Sequence, residues 1–245
     1  MTGGGSALLA APAGELRLED LQQVTRGLLD AGADIGAINA VRKHLSAVKG
    51  GRLAAACEPA CVVGLLVSDV VGDSLSVIGS GPTAPDATTY ADALAVLDRY
   101  GIDAPAVQAH LEQGVAGEFA ETPAAEDSCF ARVSNHVVAS NRTAVDAAAA
   151  KAATAGFDPC VLSTRVRGDA AAAAPTHVAI AAEVAASGNP LEPPAVLLSG
   201  GETTVDISET DDPGVGGPNL EFALASAVEL RETGPDDVVV GALDT

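Results

Sequence analysis

Apolar residues recur at helical spacing in two consecutive stretches near the start of the chain: Leu18, Leu21, Val24, Leu28 and Leu29 over residues 18–31, then Ile35, Ile38, Val41, Leu45 and Val48 over 35–48. Two amphipathic helices are the simplest reading. Residues 61–68 form an unbroken apolar run of strand length, which predicts a strand buried on both faces, with Asp69 at its C-terminal end. Thr88 or Thr89 can cap a helix that runs through Arg99 to Gly101, and Pro105 can open another through Glu112. The polar, acid-rich stretch 117–128, with Gly117 and Pro123, reads as a linker. Beyond it the pattern predicts strands at 133–139, 159–163 and 195–198, alternating with helices at 144–155 and 169–186. This alternation predicts an α/β fold of two layered domains with mostly parallel sheets, divided into residues 1–122 and 123–245.

The composition narrows the partners. A chain of 245 residues that is 48% hydrophobic is globular rather than disordered, and with no Trp, two Tyr, four Phe and one Met its core is expected to use small side chains. Its 13 Lys+Arg against 33 Asp+Glu leave a net charge of -20, which repels nucleic acid and anionic membrane surfaces. No apolar run reaches the roughly 18 residues that span a bilayer. The acidic surplus, and ten Arg against three Lys, fit adaptation to concentrated salt. Cys57, Cys61, Cys129 and Cys160 lack zinc-site spacing and read as buried free thiols of a cytoplasmic protein without a secretory leader.

Four stretches carry candidate chemistry. Gly3-Gly4-Gly5-Ser6 lets backbone N–H groups converge on an anion beside a hydroxyl, although a flexible tail explains three glycines as well. From Ile35 through Cys57 there is no acid, where the composition would place about three, yet Arg42, Lys43, Lys49 and Arg52 lie inside. On a helix, Asn39, Arg42, Ser46 and Lys49 share one narrow sector, which is an anion site or a solvated basic face. Residues 68–86 follow the C-terminal end of a strand, where α/β sheets bind ligands. Asp69, Asp73 and Asp86 there can hold magnesium or accept a proton, with Ser80 and Gly81 nearby; an ordinary turn-rich loop is the alternative. In the second half, Ser199-Gly200-Gly201-Glu202 follows a strand, and Gly214, Gly216 and Gly217 precede Asn219 and Glu221 at a helix start. None of the four histidines has a partner at catalytic spacing, and neither a P-loop, an esterase Gly-x-Ser-x-Gly nor a dinucleotide fingerprint occurs.

These stretches, in this order, resemble the glycerate 2-kinase family, whose C-terminal part is the MOFRL domain and whose members are often labelled hydroxypyruvate reductases. The matching residues are 2–9, 38–54 (Asn39, Val41-Arg42-Lys43-His44-Leu45-Ser46, Lys49-Gly50-Gly51-Arg52-Leu53-Ala54), 68–86, 198–205 and 216–224. The resemblance implies transfer of the ATP γ-phosphoryl group to the 2-hydroxyl of D-glycerate, with Mg2+, in a cleft between a Rossmann-like first domain and a MOFRL-type second domain, both incomplete. It assigns Arg42 and Lys49 to anionic oxygens, and Asp69 or Asp73 to the general base or magnesium ligand. Gly4, Gly5, Ser6, Asn39, Ser46, Ser80, Gly81, Glu202, Asn219 and Glu221 would contact substrate or phosphate. Family members are longer and carry a Gly-x-Gly-Lys segment upstream of the motif that opens this chain. Pro218 replaces a common Arg, Leu220 a Gln, and Arg167-Gly168-Asp169-Ala170 varies a Gly-Glu-Ala-Arg element. The chain therefore looks like a truncated member from a halophile, able to form a homo-oligomer. Two rivals stand beside the kinase: a non-catalytic remnant that still binds an anion or nucleotide, and an NAD(P)H-dependent hydroxypyruvate reductase.

Overall fold

A computed structural model describes residues 5–206 and 215–244, and in it the chain divides into two compact units, Met1–Ser68 with Asp73–Val138 and Asp69–Gly72 with Ala139–Thr245. The first is mainly helical: a single turn α1 (Gly5–Leu8), then α2 (Leu18–Asp30), α3 (Ile35–His44), α4 (Arg52–Cys57), α5 (Tyr90–Tyr100) and α6 (Pro105–Val115). The apolar stripes of α2 and α3 bury Val24, Leu28, Ile38 and Val41 against Tyr90, Ala93 and Leu97 of α5 and Val107 and Leu111 of α6. Thr89 caps α5 by accepting from the Asp92 N–H while the Asp92 carboxylate takes the Thr89 N–H, and the left-handed Gly101 ends it. Pro105 is the first residue of α6.

Three expectations for this unit change. The second helix stops at His44 instead of running to Val48, because backbone bonds from Ala13 to Leu45 and from Ala47 to Ala11 draw the chain away from the axis. The strand β1 (Val62–Ser68), hydrogen-bonded to β2 (Val133–Ser140), is not buried on both faces: Leu66 is 3% exposed while its neighbour Leu65 is 58% exposed. One covered face gives this alternation. The core is also larger-grained than the composition suggests, with Tyr90 its largest fully buried side chain. The acid-rich stretch 117–128 lies against this unit, Glu121 accepting the Tyr90 N–H and Thr122 donating to the Thr88 carbonyl.

The second unit alternates as predicted: α7 (Asn141–Thr154), β3 (Asp158–Asp169), α8 (Ala170–Ser187), β4 (Ala195–Thr204) and α9 (Pro218–Thr233), with β3 and β4 parallel and α8 as their crossover. Its buried apolar residues are small, Val145, Ala170, Ala174, Val178 and Val184. Both strands outrun the apolar pattern, so Ser199–Thr204 is strand and not loop. Glycine makes this possible, since a Cβ on Gly201 would fall on the Val166 backbone and one on Gly200 on the Asn141 side chain. The four cysteines are free, Cys129 buried but Cys61 exposed, which departs from the expectation of uniformly buried thiols. No helix among the described residues is long and apolar enough to cross a membrane.

Gly114 on α6 faces the Tyr90 ring, and an added Cβ would lie within it. Alanine normally favours a helix interior by ~1 kcal/mol over glycine, but here overpacking reverses the sign. Gly114→Ala is expected to destabilise the protein by about 1–3 kcal/mol in urea unfolding.

Candidate functional site

The helix α3 delivers Asn39 and Arg42 to one side, and the turn after it delivers Lys49. That turn is held by the Ser46 hydroxyl, which accepts from the Val48 and Lys49 N–H groups at 3.2 and 3.3 Å. Arg42 Nη2 donates to the Ser6 carbonyl at 2.9 Å, and Lys49 Nζ donates to the same oxygen at 2.8 Å and to the Leu9 carbonyl at 2.7 Å. Two cations thus converge on α1, Lys49 buried and Arg42 half-buried. Among the described residues neither forms an ion pair. Burial, and then the neighbouring Arg42 charge, push the Lys49 ammonium down to about 8.

A hydroxyl relay lies beside the cations. Ser80 Oγ donates to Asn39 Oδ1 at 2.9 Å, so the 2.6 Å contact between Ser6 and Ser80 is donated by Ser6. Asn39 is 4% exposed, and among the described residues its Nδ2 has no hydrogen-bond partner. Ser80 is fully buried with φ of 61°, a left-handed conformation that costs a non-glycine residue energy. It is held by the surrounding bonds: Gly50 N–H to the Ser80 carbonyl at 3.0 Å and Gly51 N–H to the Gly81 carbonyl at 2.7 Å. Gly81 is itself left-handed, and a Cβ there would crowd the Ser76 backbone. The candidates Ser6, Asn39, Arg42, Lys49 and Ser80 therefore come together, with Gly5 opening α1 and Gly81 in the adjacent turn. Gly4 lies outside the described residues, and the Ser46 hydroxyl is used by its own turn.

Lys43 has a different task from its cationic neighbours. Its Nζ reaches Asp86 Oδ1 at 2.9 Å with both side chains buried. Asp86 also accepts the Thr88 N–H and hydroxyl. Burial works to raise the Asp86 carboxyl, but Lys43 and Thr88 outweigh it and hold it below the usual range. Asp86, one of three carboxylates read as candidate ligands, is thus an anchor between α3 and the 80s turn. Asp73 in the first unit has a left-handed φ of 54°.

In the second unit Asp69 and Asp244 stand close enough to Glu202 to affect its charge: burial first, and then these two carboxylates, raise the Glu202 carboxyl above its ordinary value. Asn219 Nδ2 donates to Asp244 Oδ1, and Glu221 lies in the first turn of α9. Asn219 is thus bonded to Asp244, which sequence reasoning missed because nothing in its local pattern marks it, while Asp69 and Asp244 act on Glu202 electrostatically. Among the described residues no group of three or more His, Cys, Asp or Glu side chains is poised to hold a metal.

Two family models match the chain, a domain of unknown function (DUF4147) over residues 1–112 and the MOFRL family over 195–245. The chain is 45% identical to a putative hydroxypyruvate reductase from Agrobacterium vitis, over 94% of its own length and 51% of that protein's. It is 42% identical to a glycerate 2-kinase from Pyrococcus horikoshii, over 100% of this chain and 54% of the relative. The crystal structure of a glycerate kinase from Thermotoga maritima superposes with a TM-score of 0.78 at 40% identity, covering 94% of this chain and 52% of that one. The fold defines an α/β protein with short parallel sheets, like its structural neighbours. The chain belongs to the glycerate 2-kinase family, with a DUF4147 region followed by a MOFRL region, and spans about half the length of these relatives.

Two predictions test the packing of the site. Asp86→Asn leaves the Lys43 charge buried without its counter-ion and is expected to cost about 3–5 kcal/mol in urea unfolding. Lys49 sets a pH dependence in the ligand-free protein. Below about pH 8 both folded and unfolded chains hold the lysine proton, and the cost of burying it is felt in full. Between there and the unfolded lysine value near 10.5 only the unfolded chain holds it, so stability rises with pH. Wild-type protein should gain stability relative to Lys49→Met across that interval, by about 3 kcal/mol at most, in denaturant melts at stepped pH.

Proposed function

We propose that this chain carries glycerate 2-kinase chemistry, the ATP-dependent phosphorylation of the 2-hydroxyl of D-glycerate. One observation carries the reading: among the described residues Arg42 and Lys49 converge without a counter-charge, beside a buried Asn39 amide with no hydrogen-bond partner. Two cations and a free N–H donor are what an anionic oxygen requires, and carboxylate and phosphate both satisfy them. The relatives named as glycerate kinases support the same substrate class.

Phosphoryl transfer asks chiefly for positioning and charge neutralisation. Arg42 and Lys49 hold the anionic oxygens, while Asn39, Ser6 and Ser80 orient them through the hydroxyl relay. The substrate 2-hydroxyl oxygen bonds to the γ-phosphorus as the bond to the β,γ-bridging oxygen breaks. Its proton passes to an aspartate, and ADP leaves. Asp69 or Asp73 supplies the base or the magnesium carboxylate. Their hard oxygens suit this ion, which keeps waters and substrate phosphates as its other ligands and needs no cage of three protein carboxylates. Mg2+ would neutralise phosphate charge there. On the second unit, Glu202, Asn219 and Glu221 are the polar residues that would contact substrate or phosphate.

A coupled assay of ADP release with D-glycerate tests this. Turnover is expected, and Arg42→Ala should lower kcat/KM by at least ~30-fold, the loss typical of truncating one partner of a charged hydrogen bond. Protection by ATP against unfolding with no ADP release would mark a binding remnant. NAD(P)H oxidation with hydroxypyruvate in place of ADP release would replace the kinase by the reductase.

A further inference from the structure

Ser199 and His177 form a pair to which the kinase reading assigns no role. His177, on α8, donates through Nδ1 to the Ala173 carbonyl at 2.8 Å. A carbonyl oxygen only accepts, so Nδ1 carries the proton and Nε2 of the neutral ring presents a lone pair. Ser199 Oγ lies 2.9 Å from Nε2, and its hydroxyl therefore donates to the imidazole. Phe222 of α9 packs edge-on against the ring, with centroids 5.2 Å apart and planes at 84°. Three elements fix this histidine in one tautomer and one direction.

The sheet is irregular at the serine. β3 and β4 keep one register up to Val161↔Leu198, slip before Ser163↔Ser199, and slip again before Val166↔Gly201. Such bulges re-aim a side chain and gather beside reactive sites. Gly200 and Gly201 follow at once, packed so closely that neither tolerates a Cβ. Ser199 itself is exposed, so an electrophile can reach its oxygen.

We propose that Ser199 is an activated nucleophile with His177 as its general base, forming a second reactive centre that takes carboxylic esters as acyl donors. It stands on geometry within the second unit and is independent of the kinase reading. Oγ bonds to the ester carbonyl carbon as its proton moves to His177 Nε2. The bond to the leaving alcohol breaks, and the alcohol carries that proton away. Water then attacks the acyl-serine carbonyl and gives a proton to Nε2. That proton returns to Ser199 Oγ as the carboxylic acid departs. The ring is oriented by a neutral carbonyl where esterase triads use a carboxylate, so activated esters are the matching substrates.

The full chain is treated with a fluorophosphonate and, separately, with p-nitrophenyl acetate, and the adduct is located by peptide mass mapping. A single adduct on Ser199 is expected, absent in Ser199→Ala and about a hundredfold slower in His177→Gln with unchanged circular dichroism. Should His177→Gln fail to fold, wild-type protein carbethoxylated at His177 by diethyl pyrocarbonate should show the same loss. An unmodified Ser199 in folded wild-type protein, or labelling at an equal rate once His177 is replaced or carbethoxylated, overturns the proposal.

Discussion

The candidate site of the first unit is built around two cations that share one carbonyl oxygen and, among the described residues, have no counter-ion. A carbonyl dipole offsets part of the cost of burying an ammonium or guanidinium, but not the full charge. That residue of unbalanced charge depresses the Lys49 ammonium and leaves the site with a demand for negative charge. The unpartnered Asn39 amide adds a demand for an acceptor at the same place. A surface lysine in water would carry neither implication.

Holding like charges together requires a rigid frame, and Lys43 provides it by being unlike its neighbours. It lies next to Arg42 on the same helix, yet it is matched by a buried carboxylate from the 80s turn. The ion pair ties α3 to the turn that carries Ser80, and the bonds from Gly50 and Gly51 to Ser80 and Gly81 tie the following segment to the same turn. This over-determination is what allows Ser80 to remain at φ of 61° with its hydroxyl between Asn39 and Ser6.

Much of this was legible in the sequence, and the gaps have physical causes. The acid-free interval from Ile35 to Cys57 marked the cations, because charge balance is a property of composition along the chain. Helical spacing then grouped Asn39, Arg42, Ser46 and Lys49, but the helix ends at His44. Lys49 reaches the group through a turn whose path is set by residues 11–13, a non-local pairing that periodicity does not encode. The same limit separated Asp86 from Asp69 and Asp73: all three follow one apolar run, and only tertiary packing shows that Asp86 is matched by Lys43. In β1 the apolar run was read as doubly buried, since a run cannot report how many layers cover it. His177 and Ser199 are distant in sequence, and no spacing rule anticipates a pair made by a crossover helix and the strand after it.

Several destabilising features of the described residues meet in one place. Unmatched cations, an orphaned amide and a left-handed serine fall within one small region of the first unit. Mutually repelling carboxylates around Glu202 form the corresponding strain in the second. Each is a cost to folding that stands apart from the apolar core of Val41, Leu45 and Tyr90. A ligand that supplies negative charge to the first cluster converts these costs into binding free energy.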